Sequence, residues 1–327
     1  MAAMQVSRTV YSLYYPETRR VVDALWAERP HALYERNYGK RQDAMHRGCL
    51  DGWVAWATRA GVRLGDGFAH HYPTSGASEG IHALLAFQAT HGGGRVHVFE
   101  GEYEGYAHTA AALALPVVAH PRARDTWTRA AASLAPGDSF WVSQPSAIDG
   151  NLWADFADFA ALIAERAPGA GLVVDLTYVG AVPAPLPIDL ERAPVAAVLW
   201  SLSKPFGVYY HRIGGLLTRV EVPALRGHHW FKNLFSLALG ERLMASFAAG
   251  ELPARYRAEQ ERALAEARDA GLVAGGARVS DVVILAHAPA GDERFAEYRR
   301  GAGLRFCLSP MMDARINPEA RLNPEAR

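Results

Sequence analysis

Apolar positions in the middle of this chain come in short unbroken runs, separated by longer stretches with helical spacing. The runs are Val96-His97-Val98-Phe99, Ser139-Phe140-Trp141-Val142-Ser143, Leu172-Val173-Val174-Asp175-Leu176 and Ala196-Ala197-Val198-Leu199-Trp200. Continuity, rather than alternation with polar residues, marks strands covered on both faces. Between the runs, residues 79–91, 104–113 and 154–167 carry helical spacing. Strands alternating with helices predict an α/β domain with a mainly parallel sheet. Ligands of such sheets sit outside the carboxyl ends of the strands. Gln144, Asp175 and Lys204 all fall at or just past such ends.

Beyond about residue 225 the pattern changes. Residues 237–270 read as one long helical stretch. Val279-Ser280-Asp281-Val282-Val283-Ile284-Leu285 and Leu304-Arg305-Phe306-Cys307-Leu308 then read as strands. These elements predict a smaller α+β domain over 226–327, joined by an N-terminal arm over 1–37, beside a large domain over 38–225. The chain ends in a near-duplicate, Ile316-Asn317-Pro318-Glu319-Ala320-Arg321 and Leu322-Asn323-Pro324-Glu325-Ala326-Arg327. That is too short for a solenoid repeat and reads as an extension with little fold content.

Composition narrows the function classes. The 327 residues leave room for one large domain and a smaller one. Lys+Arg and Asp+Glu balance at 34 each, so no bulk charge draws the chain to nucleic acid or an anionic membrane. The first residues do not form a signal peptide, and no stretch of about 18 apolar residues occurs. Cys49 and Cys307 make neither a disulfide framework nor a metal motif and fit a reducing cytoplasm. His97, the pair His70-His71 and the pair His228-His229 lack Cys or carboxylate partners at metal-ligand spacing, so no metal is expected.

Lys204 is the most informative position. It stands in Trp200-Ser201-Leu202-Ser203-Lys204-Pro205-Phe206-Gly207, just past a buried strand. Burial shifts a lysine toward its neutral, nucleophilic form, which condenses with aldehydes. Asp175 closes another buried run, where a carboxylate is costly unless a cation meets it. An N-cap is its simpler role, as a half-buried core side chain is for Tyr178, three residues on. Thr74-Ser75-Gly76-Ala77-Ser78-Glu79-Gly80 leads into a helical stretch. Free N–H groups and the helix dipole make such a turn an anion site, although an ordinary N-cap looks the same. Arg212 lies eight residues after Lys204 and is followed by Gly214-Gly215. Its planar fork suits phosphate.

In this order and spacing the motifs resemble the fold-type I pyridoxal-phosphate (PLP) enzymes, in particular the class I/II aminotransferases. The resemblance covers residues 38–225 and extends more loosely into the C-terminal part. It implies an aspartate-aminotransferase-like fold and a homodimer. Lys204 would hold the PLP aldehyde as a Schiff base, and Asp175 would keep the ring nitrogen protonated. Tyr178 would bond the phenolic oxygen. Ser75, Gly76, Ala77, Ser201 and Arg212 would hold the phosphate, with Ser78 adding a hydroxyl, and Ser203 would be among the residues that bind the cofactor. Tyr103 matches the aromatic residue that stacks on the ring, with Tyr106 as its rival. Tyr38, 37 residues before Ser75, matches a tyrosine that reaches the partner subunit's phosphate, although a loop aromatic fits it nearly as well. Arg305 resembles the arginine that clamps the substrate carboxylate.

The chain departs from the family at one telling place. Aligning Pro145 and Gly150 of Gln144-Pro145-Ser146-Ala147-Ile148-Asp149-Gly150-Asn151 with the family motif puts Ala147 where an asparagine donates to the phenolic oxygen. Either Tyr178 serves that oxygen alone or Asn151 or Gln144 substitutes, with Asn151 also placed to touch substrate. The resemblance implies an enzyme acting on an amino acid or amino-acid-like molecule, first of all an aminotransferase. The alternative is elimination, replacement, cyclisation or C–C bond formation through a quinonoid intermediate in specialised biosynthesis.

Overall fold

The computed structural model describes residues 5–28, 30–37, 43–191, 194–230 and 233–318. In chain order its strands are β1 (Val62–Arg63), β2 (His70–Ser75), β3 (Val96–Phe99), β4 (Val117–His120), β5 (Ser139–Ser143), β6 (Gly171–Asp175), β7 (Ile188–Asp189), β8 (Val195–Ser201), β9 (Ile213–Thr218), β10 (Arg278–Val279), β11 (Leu285–Pro289), β12 (Arg299–Arg300) and β13 (Gly303–Cys307). Seven of them form a sheet in the order β2-β9-β8-β6-β5-β3-β4, while β1 and β7 make a small parallel pair. All neighbours in the large sheet are parallel except at β9, which runs against both β8 and β2.

The unbroken apolar runs are explained by this sheet. Phe99, Phe140, Val142, Leu172, Val174, Val198 and Trp200 pack into a core on one face. Val96, Val98, Trp141, Val173, Ala197 and Leu199 pack into a second core on the other. Adjacent residues therefore both need to be apolar, because successive side chains point to opposite faces. The helices Ala77–Thr90, Glu104–Ala112 and Phe156–Arg166 fall where helical spacing predicted them. The edge strand β4 is only half-buried, and β2 is polar and contains Pro73, so neither carries the buried-strand pattern. No described helix is long and apolar enough to cross a membrane.

Two expectations for the C-terminal part are corrected. Residues 237–270 form two helices, Leu234–Ser246 and Glu251–Asp269. The break is set by Gly250, whose φ of +82° is the left-handed conformation that favours glycine. The apolar run 279–285 is not one strand. It splits between β10 and β11, and the segment between them pairs with no strand, the Val282 and Val283 N–H groups donating instead to the Gly150 and Ala181 carbonyls. The fully buried Gln260 amide donates to the carbonyls of Ser280, Val282 and Leu285 at 3.0, 3.1 and 2.7 Å. A helix side chain thus supplies the hydrogen bonds that a sheet partner would give. The smaller sheet is four-stranded and antiparallel, β10-β11-β13-β12, and Ser7 of the N-terminal segment bridges to Cys307 of β13.

Candidate active site

The parallel strands end together, and their register sets the site. Ser143 of β5 pairs with Asp175 of β6, which pairs with Leu199 of β8, and Ser201 at the end of β8 pairs with Gly214 of β9. Lys204 follows in the short helix Ser203–Phe206. Burial pulls its pKa down to about 8, with Arg305 and Arg212 adding to the shift and Cys307 opposing it. Its Nζ donates to the Val10 carbonyl of the N-terminal segment.

The antiparallel β9 makes the phosphate-type cradle. Pairing of Ser75 with Ile213 brings Arg212 onto the turn that ends β2. Arg212 Nη2 donates to the Ser75 carbonyl at 2.8 Å and to Ser78 Oγ at 3.5 Å. Gly76 has φ +71°, and a Cβ placed there would lie 2.7 Å from Arg212 Nη2. Helix Ala77–Thr90 starts at this turn with no side-chain cap on Gly76, and the positive end of its dipole lies there. Ser201 Oγ donates to Ser203 Oγ at 3.0 Å and accepts the Ser203 N–H at 3.2 Å, so the two hydroxyls form one cluster. Gly76→Ala is expected to weaken binding of inorganic phosphate and PLP at least about tenfold, and to destabilise the fold by roughly 1–3 kcal/mol through left-handed strain. Phosphate titration and thermal unfolding of the variant check both effects.

Asp175 is buried, and its partners are neutral. Its Oδ2 accepts the Tyr106 hydroxyl at 2.8 Å, and its Oδ1 accepts the Thr177 N–H at 2.9 Å and the Thr177 hydroxyl. Burial raises its pKa against the lowering effect of Thr177 and Tyr106. A cation brought beside it would reverse that shift. Tyr106 is fully buried as the donor to Asp175, whereas Tyr103, at the N-terminus of helix Glu104–Ala112, is 46% exposed on the open side. Their rings meet edge to face at 5.4 Å. Tyr178 is buried with its pKa pushed up to about 12, chiefly by burial, while the positive charge of Arg305 pulls the other way.

Arg305 of β13 is buried, and among the described residues no carboxylate pairs with it. Its Nη1 donates to the Ala147 carbonyl, its Nη2 reaches the Arg8 carbonyl at 3.5 Å, and its Nε has no partner. A buried guanidinium with an unused N–H is a receptor for an anion. Ala147 is buried and offers no side-chain donor. Gln144 is held by the Trp153 backbone through both amide atoms, at 3.0 Å each. Asn151 accepts the Asp281 N–H at 3.0 Å and faces the His287 ring at 3.5 Å. Both amides are therefore committed to structure and are not brought to Asp175 and Lys204. Tyr38 lies outside the described residues.

The residues fit PLP by their chemistry. An anion cradle, a deprotonation-prone lysine and a buried carboxylate without a cation stand at neighbouring strand ends. No family model matches the chain, and no curated protein matches it. Solved structures do match. A methionine aminotransferase from Escherichia coli, YbdL, is 15% identical over 96% of this chain and 92% of its own, with a TM-score of 0.70. The histidinol-phosphate aminotransferase of Sinorhizobium meliloti, solved with PLP, is 14% identical over 98% and 91%, with a TM-score of 0.68. A PLP-bound C-S lyase from Staphylococcus hominis is 13% identical over 96% and 92%, also at 0.68.

The chain has the aspartate-aminotransferase-like fold of the type I PLP enzymes. At these identities the likeness is one of fold, and the chemistry rests on the residues above. Within that fold, sequence reasoning weighed Tyr106 only as a ring-stacking residue, whereas it donates to Asp175, and it missed two contacts. The Val10 carbonyl accepts from Lys204, and the buried Glu102 accepts the Tyr103 N–H. Glu102 had a signal, since it lies three residues past the buried strand β3, next to Tyr103.

Proposed function

We propose that this chain is a PLP-dependent enzyme acting on an amino acid or amino-acid-like molecule, with transamination as its reaction. The observation that supports this best is the convergence of Lys204, Asp175 and the Ser75–Gly76–Arg212 cradle at the carboxyl ends of the sheet. Bound there, PLP supplies an aldehyde for amine exchange and a ring that spreads negative charge from the substrate Cα. The chain's own residues do the rest. Ser75, Gly76, Ala77, Ser201, Ser203 and Arg212 fix the phosphate. Asp175, oriented by Tyr106 and Thr177, would face the ring nitrogen and favour its protonated form. Tyr178 would bond the phenolic oxygen, and Tyr103 would cover the ring. Arg305 would bind and orient the substrate carboxylate. Lys204 would hold the aldehyde and, when not attached to it, would be the base placed to take the proton from the substrate Cα. The same reading makes 38–225 the PLP-binding domain and the protein a cytoplasmic homodimer in which Tyr38 reaches the partner's phosphate site.

A second reading has one observation in its favour. Ala147 leaves the asparagine position without a donor, and Gln144 and Asn151 are engaged elsewhere. That change favours elimination, replacement, cyclisation or C–C bond formation in specialised biosynthesis. Purified protein mixed with PLP is expected to develop an absorbance band at the visible edge, and the absence of a band would sink both readings. Pyridoxamine phosphate after a single turnover with amino acids is the expected result for transamination. Exchange of the Cα proton with solvent, without pyridoxamine phosphate, would favour the second reading.

A further inference from the structure

Glu102 closes the turn after β3 and is 5% exposed. Its Oε1 accepts the Ser143 N–H at 3.1 Å, and its Oε2 accepts the Ser143 hydroxyl at 2.7 Å and the Tyr103 N–H at 3.2 Å. All three partners donate, which suits an ionised carboxylate. The positive charge acting on it, Arg122, is itself bonded to Ser146 and Asp149. The other titratable groups on which its charge acts are Tyr106 on helix Glu104–Ala112 and Tyr178, just beyond the end of β6. Burial pushes the Glu102 pKa up to about 7, against Ser143, Tyr103 and Arg122, which lower it.

The Ser143 hydroxyl is shared. While donating to Glu102 it accepts the Ala147 N–H at 2.6 Å, and the Ala147 carbonyl accepts from Arg305 Nη1. A hydrogen-bond chain thus runs Glu102, Ser143, Ala147, Arg305, from the end of β3 to β13. Its direction is set by the single proton of Ser143. With Glu102 ionised, that proton goes to the carboxylate and the oxygen is left to accept from Ala147. A proton added to Glu102 finds only donors around it. Its available acceptor is the Ser143 oxygen, so the hydroxyl stops donating to a charged group. Without that charge-assisted bond the Ser143 oxygen is less polarised, and the anchor on Ala147 weakens.

We propose that Glu102 is a positioning residue for carboxylate binding: its ionised form, acting through Ser143, sets the Ala147 carbonyl against Arg305 and so aims the guanidinium that receives the substrate carboxylate. This rests on the reading of Arg305 as the carboxylate receptor. The family resemblance assigns no role to Glu102, and the reaction as proposed above does not use it.

Calorimetric titration of the purified full chain with propionate, a carboxylate without an amino group, tests this at about pH 6 and about pH 8. Lys204 also titrates near 8 beside Arg305 and favours propionate at the lower pH, so the effect of Glu102 is read against Glu102→Gln, which keeps Lys204. Wild-type affinity relative to that of Glu102→Gln is expected to be about fivefold weaker at the lower pH than at the higher, the loss that one hydrogen bond carries. Ser143→Ala keeps the carboxyl but cuts the link, so its pH response of binding should match that of Glu102→Gln. Thermal unfolding provides a second readout. The fold raises the Glu102 pKa from 4.5 to about 7, so the folded chain keeps a proton that the unfolded chain releases across that window. The stability from this group is full at low pH, falls as pH rises through the window and is flat above it. Ser143→Ala should keep that slope and Glu102→Gln should lose it. A wild-type to Glu102→Gln affinity ratio that is the same at the two pH values, or a wild-type pH response of binding in Ser143→Ala, overturns the proposal. Unchanged propionate binding in Arg305→Met overturns instead the reading of Arg305, on separate evidence.

Discussion

Lys204→Ala is expected to abolish covalent attachment of PLP and to lower turnover by about 10³-fold or more, the range lost with a positioned general base. The chemistry makes the test clean. Lysine occurs at only three positions, 40, 204 and 232, so borohydride reduction followed by peptide mass analysis assigns the attachment without ambiguity. In the wild type the label should sit on the peptide containing Lys204. A label on another lysine, or an equal label in Lys204→Ala, would contradict the role given to this residue. The pH dependence follows from burial. The neutral amine attacks the aldehyde, and burial brings the Lys204 pKa to about 8. The rate of attachment to the cofactor-free chain should therefore climb as pH rises through about 8 and level off above it. An ordinary surface lysine would still be climbing near its usual value of 10.5.

Asp175→Asn carries the second large effect, and it separates function from stability. The carboxyl is buried among neutral donors, and burial raises its pKa. In the cofactor-free chain the charge is therefore a burden, and an amide of the same shape should change thermal stability little. With PLP the balance inverts. A ring cation beside an ionised Asp175 is a buried, hydrogen-bonded pair, and removing one partner of such a pair costs roughly 3–5 kcal/mol. PLP affinity should fall by about 10²–10⁴-fold. Equilibrium dialysis of PLP against both proteins, set beside their melting temperatures, gives the two numbers. An Asn variant that binds PLP like the wild type would show that Asp175 does not face the ring nitrogen. Tyr106→Phe should produce a smaller loss of the same kind, because it removes one of the donors that orient the carboxylate.

The two residues differ in how far they were legible in the chain. Lys204, Ser201 and Arg212 are close in sequence, and their spacing survives folding because one strand end, one helical turn and one strand start hold them. The strands β3, β5, β6 and β8 were legible for a related reason. Each is covered on both faces, so its sequence has no polar side to hide it. The helix starting at Ala77 was legible through its turn, since Ser, Gly and Ala ahead of a helix leave N–H groups for an anion. The residues also specified that a buried carboxylate at 175 needed a cation.

What the tertiary structure decided depends on partners far away in the chain. Pairing of β9 against β2 is what lays Arg212 on Ser75, 137 residues distant, and β2 is too polar to announce itself. The choice between Tyr103 and Tyr106 came from burial: one hydroxyl reaches Asp175, and the other ring stays half open to solvent. The long helix is broken because Gly250 adopts a left-handed turn, and the run 279–285 is bent because Gln260 takes its carbonyls. Glu102 shows the same limit most sharply. In sequence it is one acid among several; folded, it is a buried carboxylate at the head of a hydrogen-bond chain that ends on Arg305. Residue type and spacing report what a segment can do by itself, whereas desolvation and hydrogen-bond partners are set by segments that meet only when the sheet closes.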